Sequence, residues 1–121
     1  MKFRLVKSDK SARLGELHFD KGVIHTPVFM PVGTYGSVKT MTPDELTDIG
    51  AEIILANTYH LMIRPGKEIL SSHDGLHRMM GWKKPILTDS GGYQIWSLSK
   101  KRKINDEFVE FDSPVNGDLI R

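Results

Sequence analysis

The chain has 121 residues, 39% hydrophobic and 26% charged, a balance that excludes disorder and collagen-like repetition and suits one folded core. Seventeen Lys and Arg against 15 Asp and Glu leave a net charge of +2, so any contact with a polyanion must come from a local cluster. Cysteine is absent, which excludes disulfides and thiolate zinc sites within the chain, and no stretch reaches the ~18 apolar residues that cross a bilayer. A reducing, cytoplasmic setting with no membrane attachment is the expectation, since no signal-like apolar run follows Met1 to Val6.

Phe3 and Leu5 alternate with Lys2 and Arg4, and a second run spans Arg13 to Phe19, which predicts a leading antiparallel β-hairpin. Val23 and Ile24 follow the Asp20-Lys21-Gly22 turn. Val28 to Val32 is short, apolar and closed by Gly33, the pattern of a strand buried on both faces, with Pro27 and Pro31 against it. Thr42-Pro43-Asp44-Glu45 is a capping box with proline at the first helical position, and Gly50 ends that helix. A second buried strand covers Ala51 to Ala56 and runs into a loop, Asn57 to His60. Short helices follow between Pro65-Gly66 and Asp74-Gly75, and from Leu76 to Met80. A third strand, Pro85 to Thr88, ends at Asp89, and a helix begins near Gly91. Strands separated by helices predict α/β architecture with parallel pairing. Beyond Trp96, Lys100 to Lys103 reads as a polar loop, Phe108 to Phe111 as a strand, Asn116-Gly117 as a hairpin turn, and Leu119-Ile120 as the start of a return strand. No linker divides residues 1–121 into two domains.

Ligands of parallel α/β sheets bind beyond the carboxyl ends of the strands. Three such loops are readable: Gly33 to Gly36, Asn57 to His60, and Asp89 to Gln94. In the last, Asp89 follows the apolar Ile86 and Leu87 directly, so its charge has to be paired, hydrogen-bonded or used. An ionised carboxylate accepts best from two parallel N–H donors, the pattern that guanine presents with N1–H and its exocyclic amine. Tyr93 supplies an aromatic face for a base, and the glycines after Ser90 allow backbone N–H groups to approach a ligand. The same spacing also suits Asp89 as a helix cap, with Ser90, Gly91 and Gly92 making the turn.

The segments Thr26 to Thr34 (TPVFMPVGT), Ile54 to Leu61 (ILANTYHL), Arg64 to Gly66 (RPG), Gly75 to His77 (GLH), Met80 to Trp82 (MGW) and Pro85 to Gln94 (PILTDSGGYQ) span nearly the whole chain. In that order they resemble the N-terminal part of a bacterial-type tRNA-guanine transglycosylase, or queuine tRNA-ribosyltransferase. The resemblance implies a TIM (β/α)8 barrel fold, with this chain as a partial barrel of about three βα units. It implies exchange of guanine at the wobble position of tRNA anticodons for a 7-deazaguanine, in queuosine biosynthesis, through a covalent ribosyl-aspartate intermediate. It makes Asp89 the catalytic proton acceptor and base-binding group, Ser90, Gly91, Gly92 and Tyr93 the substrate loop, and Tyr93 the stacking platform. The partners it implies are tRNA, guanine and 7-deazaguanine, with a homodimer for the full-length protein. The nucleophilic aspartate and a three-cysteine, one-histidine zinc site would lie downstream, leaving no metal or cofactor in this chain. A closed barrel needs about 250 residues, so a fragment of a longer or split protein, inactive alone, is expected.

Other readings compete. A noncatalytic tRNA-binding subunit of the same fold is the main alternative. Asp89-Ser90-Gly91-Gly92 also resembles the surroundings of a chymotrypsin-like nucleophilic serine, but Thr88 and Tyr93 depart from that motif and helix-punctuated strands do not suit that fold. His73 and His77 have the four-residue spacing of metal ligands, yet Asp74-Gly75 interrupts the helix and both read as surface residues. Asn57 and His60 read as loop-forming rather than catalytic. Lys100 to Lys103 is a solvated face or, just beyond the substrate loop, a contact for RNA phosphates. Met30, Met62, Met79, Met80, Trp82 and Trp96 read as packing.

Overall fold

The leading antiparallel hairpin forms as alternation predicts, and a second tight turn extends it to a three-stranded meander. β1 (Lys2–Asp9), β2 (Ala12–Phe19) and β3 (Gly22–Thr26) pair antiparallel in that order in the computed structural model, which describes residues 1–98 and 102–121. β1 is the edge and is exposed along its whole length, whereas Ile24 on β3 is completely buried. β3 is tied to the rest of the chain through Glu52, whose carboxylate accepts the His25 backbone N–H at 2.6 Å and lies 2.7 Å from His25 Nδ1.

The strand anticipated over Val28 to Val32 does not form. Val32 makes one isolated parallel bridge to Leu55, and Phe29 is 81% exposed. Pro27 and Pro31 have no N–H to donate, so the ladder reduces to two bonds, Gly33 N–H to the Leu55 carbonyl at 2.7 Å and Leu55 N–H to the Pro31 carbonyl at 2.9 Å.

α1 (Pro43–Asp48) forms where its cap predicts: Thr42 Oγ1 accepts the Glu45 N–H at 3.2 Å, and Glu45 Oε2 accepts the Thr42 N–H at 2.7 Å. The Thr42 backbone N–H and the Thr42 hydroxyl, which donates to the same Oε2 at 2.9 Å, hold the Glu45 carboxyl below the usual carboxylate range. The following strand starts later than expected, at β4 (Ile54–Asn57), because Ala51 to Ile53 connect it to the helix. The loop anticipated after it is a helix, α2 (Thr58–Ile63), with Asn57 as its N-cap. α3 (Lys67–Ser72) and α4 (Leu76–Met80) complete a crossover to β5 (Ile86–Asp89), which pairs parallel with β4. α5 (Gly92–Leu98) follows.

Leu46 from α1, Ile54 from β4, Met80 from α4 and Trp82 beyond it form the buried cluster between helices and sheet. Each such side chain contributes about 1.5–3 kcal/mol by leaving water. Trp82 Nε1–H donates to the Pro85 carbonyl at 3.0 Å, so its polar edge is satisfied inside the core. The packing expected of Trp96 and Met62 is not found. Both are exposed, because α5 and α2 turn these positions away from the cluster.

Among the described residues the parallel sheet has two strands, and its β5 member remains half open, with Leu87 exposed. Beyond α5, β6 (Arg102–Ile104), β7 (Val109–Asp112) and β8 (Leu119–Ile120) make a second antiparallel sheet. The polar loop read over Lys100 to Lys103 is thus a strand from Arg102 onward, and Lys100 and Lys101 lie outside the described residues. Asn116-Gly117 sits within a longer turn, closed by Gly117 N–H to Ser113 carbonyl at 2.9 Å and Ser113 N–H to Asp118 carbonyl at 2.8 Å.

Candidate functional site

Parallel strands that begin in register end in register. Ile54-Leu55-Ala56-Asn57 pairs residue for residue with Ile86-Leu87-Thr88-Asp89, which sets an amide and a carboxylate side by side at the carboxyl ends of β4 and β5. Asn57 Nδ2 donates to Asp89 Oδ1 at 2.8 Å, and the same oxygen accepts the Gly91 N–H at 2.8 Å. Among the described residues Asp89 Oδ2 has no partner. Asp89 therefore does two things through two atoms: Oδ1 closes an Asx-turn that leads into α5, and Oδ2 keeps its acceptor capacity.

Asn57 is only 5% exposed and is occupied at both ends, since its Oδ1 accepts the His60 N–H at 3.3 Å at the start of α2. Reading it as a turn residue missed its role as the partner of Asp89. The signal was present in the repeated pattern Ile-Leu-x-Asn and Ile-Leu-x-Asp, which places both polar residues at the same depth once the strands pair.

The remaining loop residues divide by role. Gly91 was anticipated as a point of close ligand approach, but it is buried, and its N–H is already bonded to Asp89. It is glycine for two internal reasons. Its φ is +73°, and a Cβ there would stand 2.5 Å from Tyr59 Cβ and 2.8 Å from Tyr59 N. Gly92 donates its N–H to Ser90 Oγ at 3.3 Å, and both residues are exposed. Tyr93, in the first turn of α5, is 75% exposed. The loop thus presents Asp89 Oδ2, the Ser90 hydroxyl and an uncovered aromatic ring.

The first two loops meet through aromatic edges. The His60 ring lies 5.4 Å from that of Tyr35 and 5.2 Å from that of Tyr59, both edge-on. Tyr59 is buried beneath the site, packed against Phe111 at 5.3 Å, and its hydroxyl has no partner among the described residues. His73 and His77 do not converge. His73 Nδ1 lies 2.8 Å from the Ile69 carbonyl and His77 Nε2 lies 3.1 Å from that of Lys84. Burial and then the charge of Lys21 lower the pKa of His77. No group of three or more His, Cys, Asp or Glu among the described residues could hold a metal ion. A cavity of about 780 Å³ opens at the amino ends of the two strands, between Ile53, Ile86 and the Leu17-to-Ile24 face of the sheet. Its walls are mainly apolar, with Asp20, Lys21 and His77 among them, and it does not include Asn57 or Asp89, which lie at the opposite end of the strands.

A family model of queuine tRNA-ribosyltransferase matches residues 8–121. The chain belongs to that family. Its relatives include the queuine tRNA-ribosyltransferases of Thiobacillus denitrificans, 62% identical over 120 residues, and of Aliivibrio salmonicida, 61% identical over 120 residues. The enzyme so named from Pseudoalteromonas translucida is also 61% identical over 120 residues. Each alignment covers 99% of this chain but only 32–33% of the relative, so the chain spans about a third of the queuine tRNA-ribosyltransferases it matches. No helix among the described residues is long and apolar enough to cross a membrane.

Proposed function

We propose that this chain is the base-recognition part of a tRNA-guanine transglycosylase, which exchanges guanine at the wobble position of tRNA anticodons for a 7-deazaguanine. The observation that carries the reading is the open Oδ2 of Asp89, held by Asn57 and Gly91 through the other oxygen, next to the exposed ring of Tyr93. Oδ2 takes N–H donors from the Watson–Crick edge of the base, with the Ser90 hydroxyl beside it, while Tyr93 stacks on the ring. Because Oδ1 already accepts twice, a two-donor grip on the base falls mainly on Oδ2.

The chemistry is nucleophilic displacement at ribose C1′ in two steps. A carboxylate from outside this chain forms a bond to C1′ as the bond to guanine breaks and the leaving base takes up a proton from solvent. The incoming deazaguanine then forms the new bond to C1′ as the carboxylate leaves, and Asp89 accepts its ring N–H proton. The βα units of this chain form part of a TIM-type barrel completed by the region that the relatives possess, and the whole protein acts as a homodimer on tRNA. Zinc does not fit here: the chain has no cysteine, so a three-cysteine site belongs entirely to that other region.

The test is Asp89→Asn in a protein of the relatives' full length. An amide replaces one acceptor with N–H donors, which oppose either the base or the Asn57 and Gly91 donors. Guanine affinity should fall by the ~1.5–3 kcal/mol of a charge-assisted hydrogen bond, and incorporation of radiolabelled guanine into tRNA should be lost almost completely. Near wild-type exchange by the variant would refute the role of Asp89. Turnover by residues 1–121 alone would refute their inactivity in isolation.

A further inference from the structure

Trp96 is 64% exposed, unlike Trp82, and it lies three residues beyond Tyr93 on α5. Residues three apart share a helix face, so two exposed aromatic residues follow one another along α5 just beyond Asp89 in the chain. Arg102 holds the second one from β6. Its guanidinium carbon lies 4.1 Å from the indole centroid, and its Nη1 donates to the Trp96 carbonyl at 2.9 Å. One side of the indole is thereby covered by a cation, while most of the side chain still meets solvent.

We propose that Trp96 is a second stacking platform, which takes a nucleotide adjacent to the exchanged base on the same RNA strand. The proposal rests on the base-exchange reading of Asp89 and Tyr93 and extends it to the neighbouring nucleotide. Charge selects the occupant: the Arg102 guanidinium over the indole and the exposed Lys103 on the same strand favour an anionic backbone. Unpaired bases stack on aromatic rings, and the exposed Trp96 offers one. The spacing is also suitable. Side chains three apart on a helix have Cβ atoms about 5–6 Å apart, more than the ~3.4 Å rise between stacked bases. Bases seated on separate rings at that spacing do not stack on each other.

The chain has two tryptophans and Trp82 is buried, so a change in emission on ligand binding reports Trp96. An anticodon stem–loop RNA with guanine at the first anticodon position is titrated into the 121-residue chain and its Trp96→Ala and Trp96→Phe variants. Guanine alone is titrated in parallel by calorimetry. The RNA should quench wild-type emission. Trp96→Ala should weaken RNA binding roughly 5- to 150-fold, Trp96→Phe should retain most of the affinity, and guanine affinity should be unchanged in both. Equal RNA affinity in wild type and Trp96→Ala overturns the proposal, as does an absence of quenching at saturating RNA. If Trp96→Ala fails to fold, the wild-type quench and the Trp96→Phe affinity decide. Unchanged RNA affinity together with a loss of self-association would assign the face to a protein contact and likewise overturn it. Quenching by RNA without guanine binding would refute the base-exchange reading and leave the platform standing.

Discussion

Replacing Gly91 with alanine tests how the base loop is held. At φ +73° an L side chain costs about 1–2 kcal/mol. The new Cβ would also stand 2.5 Å from Tyr59 Cβ, 2.8 Å from Tyr59 N and 3.1 Å from Tyr59 Cα, atoms of a buried residue at the start of α2. Backbone of that kind moves only by shifting the helix, and such overpacking costs about 1–3 kcal/mol more. The sum, about 2–5 kcal/mol, is a large part of the ~5–15 kcal/mol available to a domain. Gly50→Ala separates the two contributions, since Gly50 has φ +81° and a Cβ added there would meet nothing within 4 Å. It should lose only the conformational part, about 1–2 kcal/mol. In urea titrations with a slope near ~1.5 kcal/mol per M, the midpoint should fall by about 1–3 M for Gly91→Ala and about 1 M for Gly50→Ala. Gly91→Ala should also lower guanine affinity, because Asp89 Oδ1 is anchored to the Gly91 N–H. Equal midpoint shifts in the two variants would show that the Tyr59 contact relaxes at no cost and would refute the reasoning.

Asn57→Ala should remove both the cap of α2 and the amide that holds Asp89. The lost cap alone costs about 0.5–2 kcal/mol, seen as a lower urea midpoint, and guanine binding should weaken with it; unchanged guanine affinity would show that Gly91 suffices to orient the carboxylate. A pH effect is expected where His25 meets Glu52. Hydrogen bonding to Glu52, then its charge, raises the His25 pKa above 6.5. Burial opposes ionisation of Glu52, yet the bonds from His25 and the charges of His25 and Lys84 leave its pKa below 4.5. The contribution of His25 is complete below its unfolded pKa and lost as pH rises through the raised value. That of Glu52 is complete above its unfolded pKa and lost as pH falls through the lowered one. The stability difference between wild type and Glu52→Gln should therefore be largest between about pH 4.5 and 6.5, measured by urea midpoints. In the variant, the NMR titration of His25 should return toward 6.5. A difference that does not change with pH would sink the ion-pair account.

Much of the local structure was legible from residue order. The Thr42-to-Glu45 capping box, the Gly50 stop after α1 and the polar ends of the strands depend on neighbours in the chain, and local chemistry acts before any tertiary contact exists. The site was legible as a loop, Asp89 to Tyr93, but the roles of its members were not. Gly91 reads as a point of ligand approach until α2 is placed against it, and Asn57 reads as a turn residue until β4 and β5 pair in register. The anticipated strand over Val28 to Val32 failed because two prolines leave too few donors for a ladder, whatever the hydrophobicity of the segment. Trp96 reads as core from its type alone, and only the direction of α5 and the approach of Arg102 from β6 set it at the surface. Sequence determined the kinds of atoms available and their spacing along the backbone. Which oxygen of Asp89 stays open, and which rings face solvent, are consequences of segments far apart in the chain competing for the same donors and the same space.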